Sequence, residues 1–397
     1  MKNINRRGFL RTGITGATGM VALSPAILNG SPSAQEQNII YRTLGKTGMK
    51  IPVISHGVMR ADNPNLCKAA YEKGIKLFDT ANGYQNGNNE TMLGNVFKAY
   101  PRNSFFMATK VKPIGSDKDG KPSSQTTADD FLQKFQTSLS RLQMDYVDIL
   151  YVHDMRSLEM LEYKPIINAA KKLKKEGKIK FLGFSTHSNE PAVIGAAADS
   201  DNWDVILTSY NFKQSYVSEI QSSIKKASQA GIGIVAMKTM AGGGFLDKEK
   251  TKPINAAAAL KWVLSNPDIT TTIPGMTEFD QLDINMKVLA DITLSDSERN
   301  DLLIAQAETG LYCTGCTECL KSCPKKLPVP DLMRAYMYAY GYSNPRMAYT
   351  LLGELGIDDN PCKDCNTCQV NCTKNFSIRE KIADISRLVN VPADFLA

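Results

Sequence analysis

The chain has 397 residues, of which 43% are hydrophobic and 22% charged. That is enough apolar content for a large core and excludes intrinsic disorder, collagen-like and low-complexity architectures. The formal net charge is +7, but Lys2, Arg6, Arg7 and Arg11 all precede the first acidic residue, Glu36, and the +7 less these four cations leaves +3. So small and dispersed an excess argues against a nucleic-acid partner. No interior run of 18 apolar residues exists, so stable membrane insertion is not expected.

The first element is a leader. Arg6-Arg7-Gly8-Phe9-Leu10 precedes a glycine-rich stretch, 12–28, that carries no charge. This resembles a twin-arginine export signal, expected over residues 1–34, with small residues around Ser24-Pro25-Ala26 or Ser31-Pro32-Ser33 for cleavage. The resemblance implies a periplasmic or otherwise exported protein that folds before it is moved. No cysteine follows the signal to take a lipid anchor.

From Tyr41 a short hairpin signal, Leu44-Gly45-Lys46-Thr47-Gly48, opens a series of β-type runs alternating with helical ones. The strand candidates are 54–59, 76–81, 105–111, 147–154, 180–187, 205–211, 233–240 and 270–276. Helical candidates lie between them, such as 129–143 with Phe131, Phe135, Leu139 and Leu142 on one face. Eight β runs, each followed by a helix, predict an α/β fold, a (β/α)8 TIM barrel. An open doubly wound sheet is the rival, but no G-x-G-x-x-G stands at a strand-to-helix turn, and Gly242-Gly243-Gly244 lacks that spacing.

Barrel chemistry collects on the loops after the strands. The second run ends in Asp79-Thr80-Ala81-Asn82-Gly83-Tyr84, the third in Ala108-Thr109-Lys110 and the fourth in Tyr151-Val152-His153. Asp79, Tyr84, Lys110 and His153 therefore converge if these strands are neighbours. Reducing a carbonyl requires a proton for its oxygen, and a phenol of pKa near 10 is a poor donor unaided. An ammonium 4 Å away favours the phenolate by up to roughly 4 kcal/mol at an effective dielectric of about 20. Lys110 is thus expected to lower the pKa of Tyr84, Asp79 to hold and aim Lys110, and His153 to orient the substrate oxygen.

These stretches, with Glu90, Leu93, Gly94, Gly183-Phe184-Ser185, Tyr210-Asn211 and Ile273-Pro274-Gly275, resemble the aldo/keto reductases across residues 39–295. The resemblance implies an NAD(P) cofactor lying across the barrel rim, with Ser185, Asn211, Met237, Lys238, Gly275, Gln281 and Asn285 as the positions that would meet it. Leu207 and Met237 stand where the family has a glutamine for the carboxamide and an aromatic to stack on the ring. Gly275 and Gln281 replace the basic residues that grip a 2′-phosphate, which argues against NADP.

Residues 296–397 carry a different signal. Cys313-x2-Cys316-x2-Cys319-x3-Cys323 and Cys362-x2-Cys365-x2-Cys368-x3-Cys372 repeat the bacterial ferredoxin run. The fourth cysteine of each run ligates the other cluster in such proteins. One 4Fe-4S cluster is then expected on Cys313, Cys316, Cys319 and Cys372, and a second on Cys362, Cys365, Cys368 and Cys323. Zinc sites want two pairs, and disulfides are the other option for an exported chain. Helices are expected over 331–341 and 346–355, making this a mainly helical, ferredoxin-like iron-sulfur domain, while Cys67 reads as a core thiol.

The sequence thus predicts an exported oxidoreductase interconverting a small carbonyl compound and an alcohol, with a possible redox protein partner for the two clusters. The alternative is an iron-sulfur electron-transfer or scaffold protein whose barrel no longer turns over nicotinamide.

Overall fold

Strands buried on both faces need cover on both sides. The computed structural model describes residues 38–396 apart from Lys118, Gly243, residues 246–248 and Thr309; the expected leader, 1–34, lies outside them. An antiparallel hairpin, β1 (Tyr41–Thr43) and β2 (Lys50–Pro52), comes first. Eight parallel strands follow in sequential order: β3 (His56–Gly57), β4 (Leu77–Asp79), β5 (Phe106–Val111), β6 (Val147–Val152), β7 (Ile179–Thr186), β8 (Val205–Ser209), β9 (Gly233–Met237) and β10 (Thr271–Thr272). Bonds from Ser55 N–H to the Thr272 carbonyl, 2.8 Å, and from Thr272 N–H to the Val53 carbonyl, 3.0 Å, join the two edges and close the sheet into a barrel.

The period-2 alternation of the strands sorts their side chains. Leu77, Ala108, Ile149, Tyr151, Val205, Leu207, Val235 and Ile273 fill the interior, and Leu44, Met49 and Ile51 join them from the hairpin. Phe78, Met107, Leu150, Val152, Phe184, Ile206 and Ile234 point outward into the helical layer. The strands differ from expectation at the seam, where 54–59 and 270–276 shorten to two residues each. Pro274 has no N–H to continue the ladder. Gly57 allows the close approach there, since a Cβ on it would stand 2.5 Å from the Ile273 carbonyl oxygen.

The helices Asp296–Ala307, Glu318–Ser322, Val329–Tyr336, Pro345–Glu354 and Ile378–Ile385 succeed the barrel strands. Their apolar faces (Leu332, Met333, Leu351, Leu352, Ile382) share one buried cluster with Phe212, Ala258 and Ala259 of the barrel. The tail is packed onto the rim. Among the described residues no helix is long and apolar enough to cross a membrane.

Candidate active site

The inward column of each strand ends at the rim, so a strand's last inward residue is its contribution to the mouth. That residue is Asp79 after Leu77, Lys110 after Ala108, and His153 after Ile149 and Tyr151. Register pairs β4 with β5 and β5 with β6, which makes the three positions neighbours.

Tyr84 comes from the loop after β4, which is held from below. The Asn82 N–H donates to the Lys110 carbonyl at 2.9 Å and the Tyr84 N–H to the Ala81 carbonyl at 3.0 Å. Arg141 donates to the Asn82 carbonyl at 2.9 Å, and Asn89 accepts from the Thr80 hydroxyl at 2.6 Å. Glu90, buried in the helix Asn88–Phe97, accepts from Thr109 beside Lys110 at 2.6 Å. Gln85 and Asn86 follow Tyr84 in left-handed conformation, turning the chain sharply at the phenol.

Lys110 is almost wholly buried, and its three ammonium hydrogens have three partners. Its Nζ bonds the Asp79 carboxylate, donates to the Thr80 carbonyl at 2.7 Å and lies 3.4 Å from the Tyr84 hydroxyl. Asp79 Oδ2 has no hydrogen-bond partner among the described residues. The His153 ring stands edge-on to Tyr84 with centroids 5.9 Å apart. All four expected groups meet at one place.

Their electrostatics differ from expectation in one respect. Burial pushes the Tyr84 phenol up, and the Asp79 and Asp154 carboxylates push it further, so its pKa is raised rather than lowered by Lys110. Asp79 already neutralises the ammonium, which leaves little field for the phenol. Burial drives Asp79 up and Lys110 down, each opposed by the other's charge. Burial and the Lys110 charge take His153 down to about 3, so its imidazole is neutral near pH 7. Tyr84 therefore holds its proton, beside an imidazole that can donate from one nitrogen.

The positions expected to meet a nicotinamide are largely engaged within the chain. The Ser185 hydroxyl accepts from Asp154 N–H at 3.1 Å. The Asn211 amide bonds Lys213 N–H at 3.0 Å, the Lys238 carbonyl at 3.2 Å and the Tyr312 phenol. Gln281 accepts from Thr277 N–H at 2.8 Å, and Asn285 is buried in its helix. Met237 packs at the top of the barrel interior above Leu207, and Gly275 is exposed. Of the seven, Ser185, Asn211 and Gln281 hold side-chain hydrogen bonds within the chain, whereas Lys238 Nζ lies over the Tyr338 ring.

The sequence pattern missed what the tail brings to the mouth. Tyr338 and Tyr342, their rings 5.8 Å apart, interact electrostatically with Tyr84. Arg334 bonds His187 and Asp331, and His187 Nε2 lies 3.2 Å from Asp154. Arg156 and Lys112 complete that network, with Lys112 also 2.6 Å from Glu354. Burial would raise Asp154, but His187, Arg156, Lys112 and Arg334 together hold it far below the usual carboxylate range. The unusual density of ionisable residues around 331–342 was the one available hint.

The two cysteine runs face each other across the tail. Cys313, Cys316, Cys319 and Cys372 line one cavity, and Cys323, Cys362, Cys365 and Cys368 line another. All eight are free thiols, as is Cys67. Among the described residues no set of three or more His, Cys, Asp or Glu side chains closes on a single metal position.

The sequence model of the aldo/keto reductase family matches residues 48–257. The chain belongs to that family, whose members are oxidoreductases that typically use NAD(P)H, and it is an oxidoreductase of this class. It is similar to L-galactose dehydrogenase of Arabidopsis thaliana, 28% identical over 301 residues that cover 64% of this chain and 89% of that one. It is also similar to aldo-keto reductase AFTS1 of Alternaria alternata, 26% identical over 53% of this chain and 68% of the relative. The solved holo form of aldo-keto reductase AKR11C1 from Bacillus halodurans shares the fold, with a TM-score of 0.54, 23% identity, and coverage of 67% of this chain and 96% of that one.

Proposed function

We propose that this protein interconverts a small carbonyl compound and an alcohol, with Tyr84 as general acid or base. The observation that carries the reading is the convergence of Tyr84, Lys110, Asp79 and His153 at the ends of three adjacent strands. In the reducing direction a reduced dinucleotide would supply hydride to the carbonyl carbon, while the raised phenol keeps its proton until the substrate oxygen gains negative charge and then gives it up. Lys110 Nζ, 3.4 Å from the phenol oxygen, stabilises the phenolate left behind. Neutral His153 hydrogen-bonds the same oxygen and fixes its approach.

Ser185 and Asn211 are hydrogen-bonded within the chain and Tyr312 of the tail bonds Asn211, so a nicotinamide would have to compete with these partners. That favours, as the second reading, an electron-transfer or scaffold protein whose barrel no longer turns over nicotinamide.

The tail's two quartets are suited to two 4Fe-4S clusters. Four thiolates around a cubane each ligate a different iron, so they surround a cavity instead of converging on one point. When bound, such clusters supply or accept single electrons. Here Cys313, Cys316, Cys319 and Cys372 would hold one in a ferredoxin-like domain, and Cys323, Cys362, Cys365 and Cys368 the other. The second quartet, whose Cys368 is exposed, would face a redox protein partner. With the leader pattern at 1–34, this reads as an enzyme folded and loaded with iron before twin-arginine export to the periplasm.

Purification without oxygen, with iron and sulfide analysis, should return about eight irons per chain on the two-cluster reading; zinc or an iron-free tail would overturn that part. Tyr84→Phe should lower carbonyl reduction by about 100- to 10,000-fold while leaving NADH or NADPH binding unchanged. Failure of either dinucleotide to bind the intact protein would select the second reading.

A further inference from the structure

Nearly every cation at the barrel mouth has an acidic partner. Lys110 is spent on Asp79, Lys112 on Asp154 and Glu354, Arg156 on Asp154 and Asp331, and Arg334 on Asp331. Arg60 and Lys238 are the exceptions, and neither has a carboxylate within ion-pair distance among the described residues. Each instead lies over a tyrosine ring of the tail. The Arg60 guanidinium is 5.9 Å from the centroid of Tyr342, and Lys238 Nζ is 5.4 Å from that of Tyr338.

An aromatic face attracts a cation but does not neutralise it. Burial pushes Arg60 down, and burial with the nearby Arg334 brings Lys238 to about 7. Both charges are therefore held at a cost that an incoming anion would relieve. Their placement points to the substrate. The rings beneath them adjoin each other and both interact with Tyr84, and the carbonyl of Met59, one residue before Arg60, accepts from Gln85, one residue after the phenol, at 3.4 Å.

We propose that the carbonyl compound handled at this mouth carries a second, oxyanionic group, a carboxylate or phosphate, held between Arg60 and Lys238 while its carbonyl meets Tyr84. The inference rests on the reductase reading for the role of Tyr84, but the binding it asserts is measurable without turnover. A neutral sugar or simple aldehyde would leave both cations unanswered. An oxo acid or a phosphorylated carbonyl compound would satisfy them, with the guanidinium fork taking two oxygens.

Equilibrium titration of the full chain, purified without oxygen, tests this with matched pairs: pyruvate against methyl pyruvate, and dihydroxyacetone phosphate against dihydroxyacetone. The anionic member of at least one pair should bind ten-fold or more tightly than its neutral partner, and which pair shows it separates carboxylate from phosphate. Arg60→Gln and Lys238→Met should each reduce that preference about 10- to 100-fold without changing affinity for the neutral member. Arg60→Lys, which keeps the charge, should retain part of it.

Equal binding within both pairs, or a preference that survives both substitutions, overturns the proposal. So does a loss of NADH affinity in Arg60→Gln and Lys238→Met with the pairs unaffected, which would assign the cations to a dinucleotide diphosphate. The same titrations on Tyr84→Phe separate the two readings, because that variant should lose carbonyl reduction while keeping the anion preference.

Discussion

Lys110 shows how one side chain can serve both stability and chemistry. Its ammonium occupies an almost fully buried position because Asp79, the Thr80 carbonyl and the Tyr84 hydroxyl take its three hydrogens. Removing it leaves a buried carboxylate whose Oδ2 already lacks a partner. Lys110→Met should therefore destabilise the protein by about 3–5 kcal/mol, and Lys110→Met with Asp79→Leu should recover most of that loss. Urea unfolding of the single and double variants measures both, and a double variant no more stable than the single would break the argument. The identity of the four groups was legible from residue type and strand ends. The direction of the Tyr84 shift was not, because it depends on how fully Asp79 cancels Lys110 and on Asp154, a residue no motif connects to the phenol.

At the level of elements, the docking of the tail on the rim combines apolar packing with polar contacts, among which one lysine is buried. Lys213, from the loop after β8, is buried and donates to the carbonyls of Ala305 at 2.7 Å and Glu308 at 2.8 Å. These lie at the C-terminal end of the helix Asp296–Ala307, where unpaired carbonyls favour a cation. Each charged bond contributes about 1.5–3 kcal/mol. In Lys213→Met, amides of residues 305–316 should exchange hydrogen at least ten-fold faster, with those of β6 unchanged, as read by mass spectrometry. Equal protection in variant and parent would show that apolar packing alone seats the segment. Gly341 marks a second contact, since a Cβ there would stand 2.4 Å from the Gly242 carbonyl oxygen. The helices Val329–Tyr336 and Pro345–Glu354 were visible as amphipathic patterns; their seat on the barrel was not, since periodicity names a buried face but not what covers it.

Across the whole molecule, the histidines tie stability to pH. Burial lowers all three, His56 to about 4, His153 to about 3 and His187 well below its ordinary value. The unfolded chain thus binds protons the folded one refuses, and stability present above about pH 6.5 is lost as pH falls toward those folded values. Asp79 and Glu90, raised by burial, oppose the trend but are outnumbered. Each net proton corresponds to about 1.4 kcal/mol per pH unit. The urea midpoint should fall between pH 7 and pH 5, and a midpoint that held or rose would contradict the burial of the three rings.

By itself the sequence determined the order of the strands, the residue types that stand at their ends on the rim, and the grouping of the eight cysteines into two quartets that each draw three from one run and one from the other. Those features are local: a period of two along a strand and a spacing of three along a loop need no knowledge of distant neighbours. The tertiary structure decided that Tyr84 keeps its proton, that Ser185 and Asn211 are engaged within the chain, and that Tyr338 and Tyr342 sit over the mouth beneath Lys238 and Arg60. Each of these follows from burial and from charges brought together from far along the chain, and both exist only once the tail has closed on the barrel.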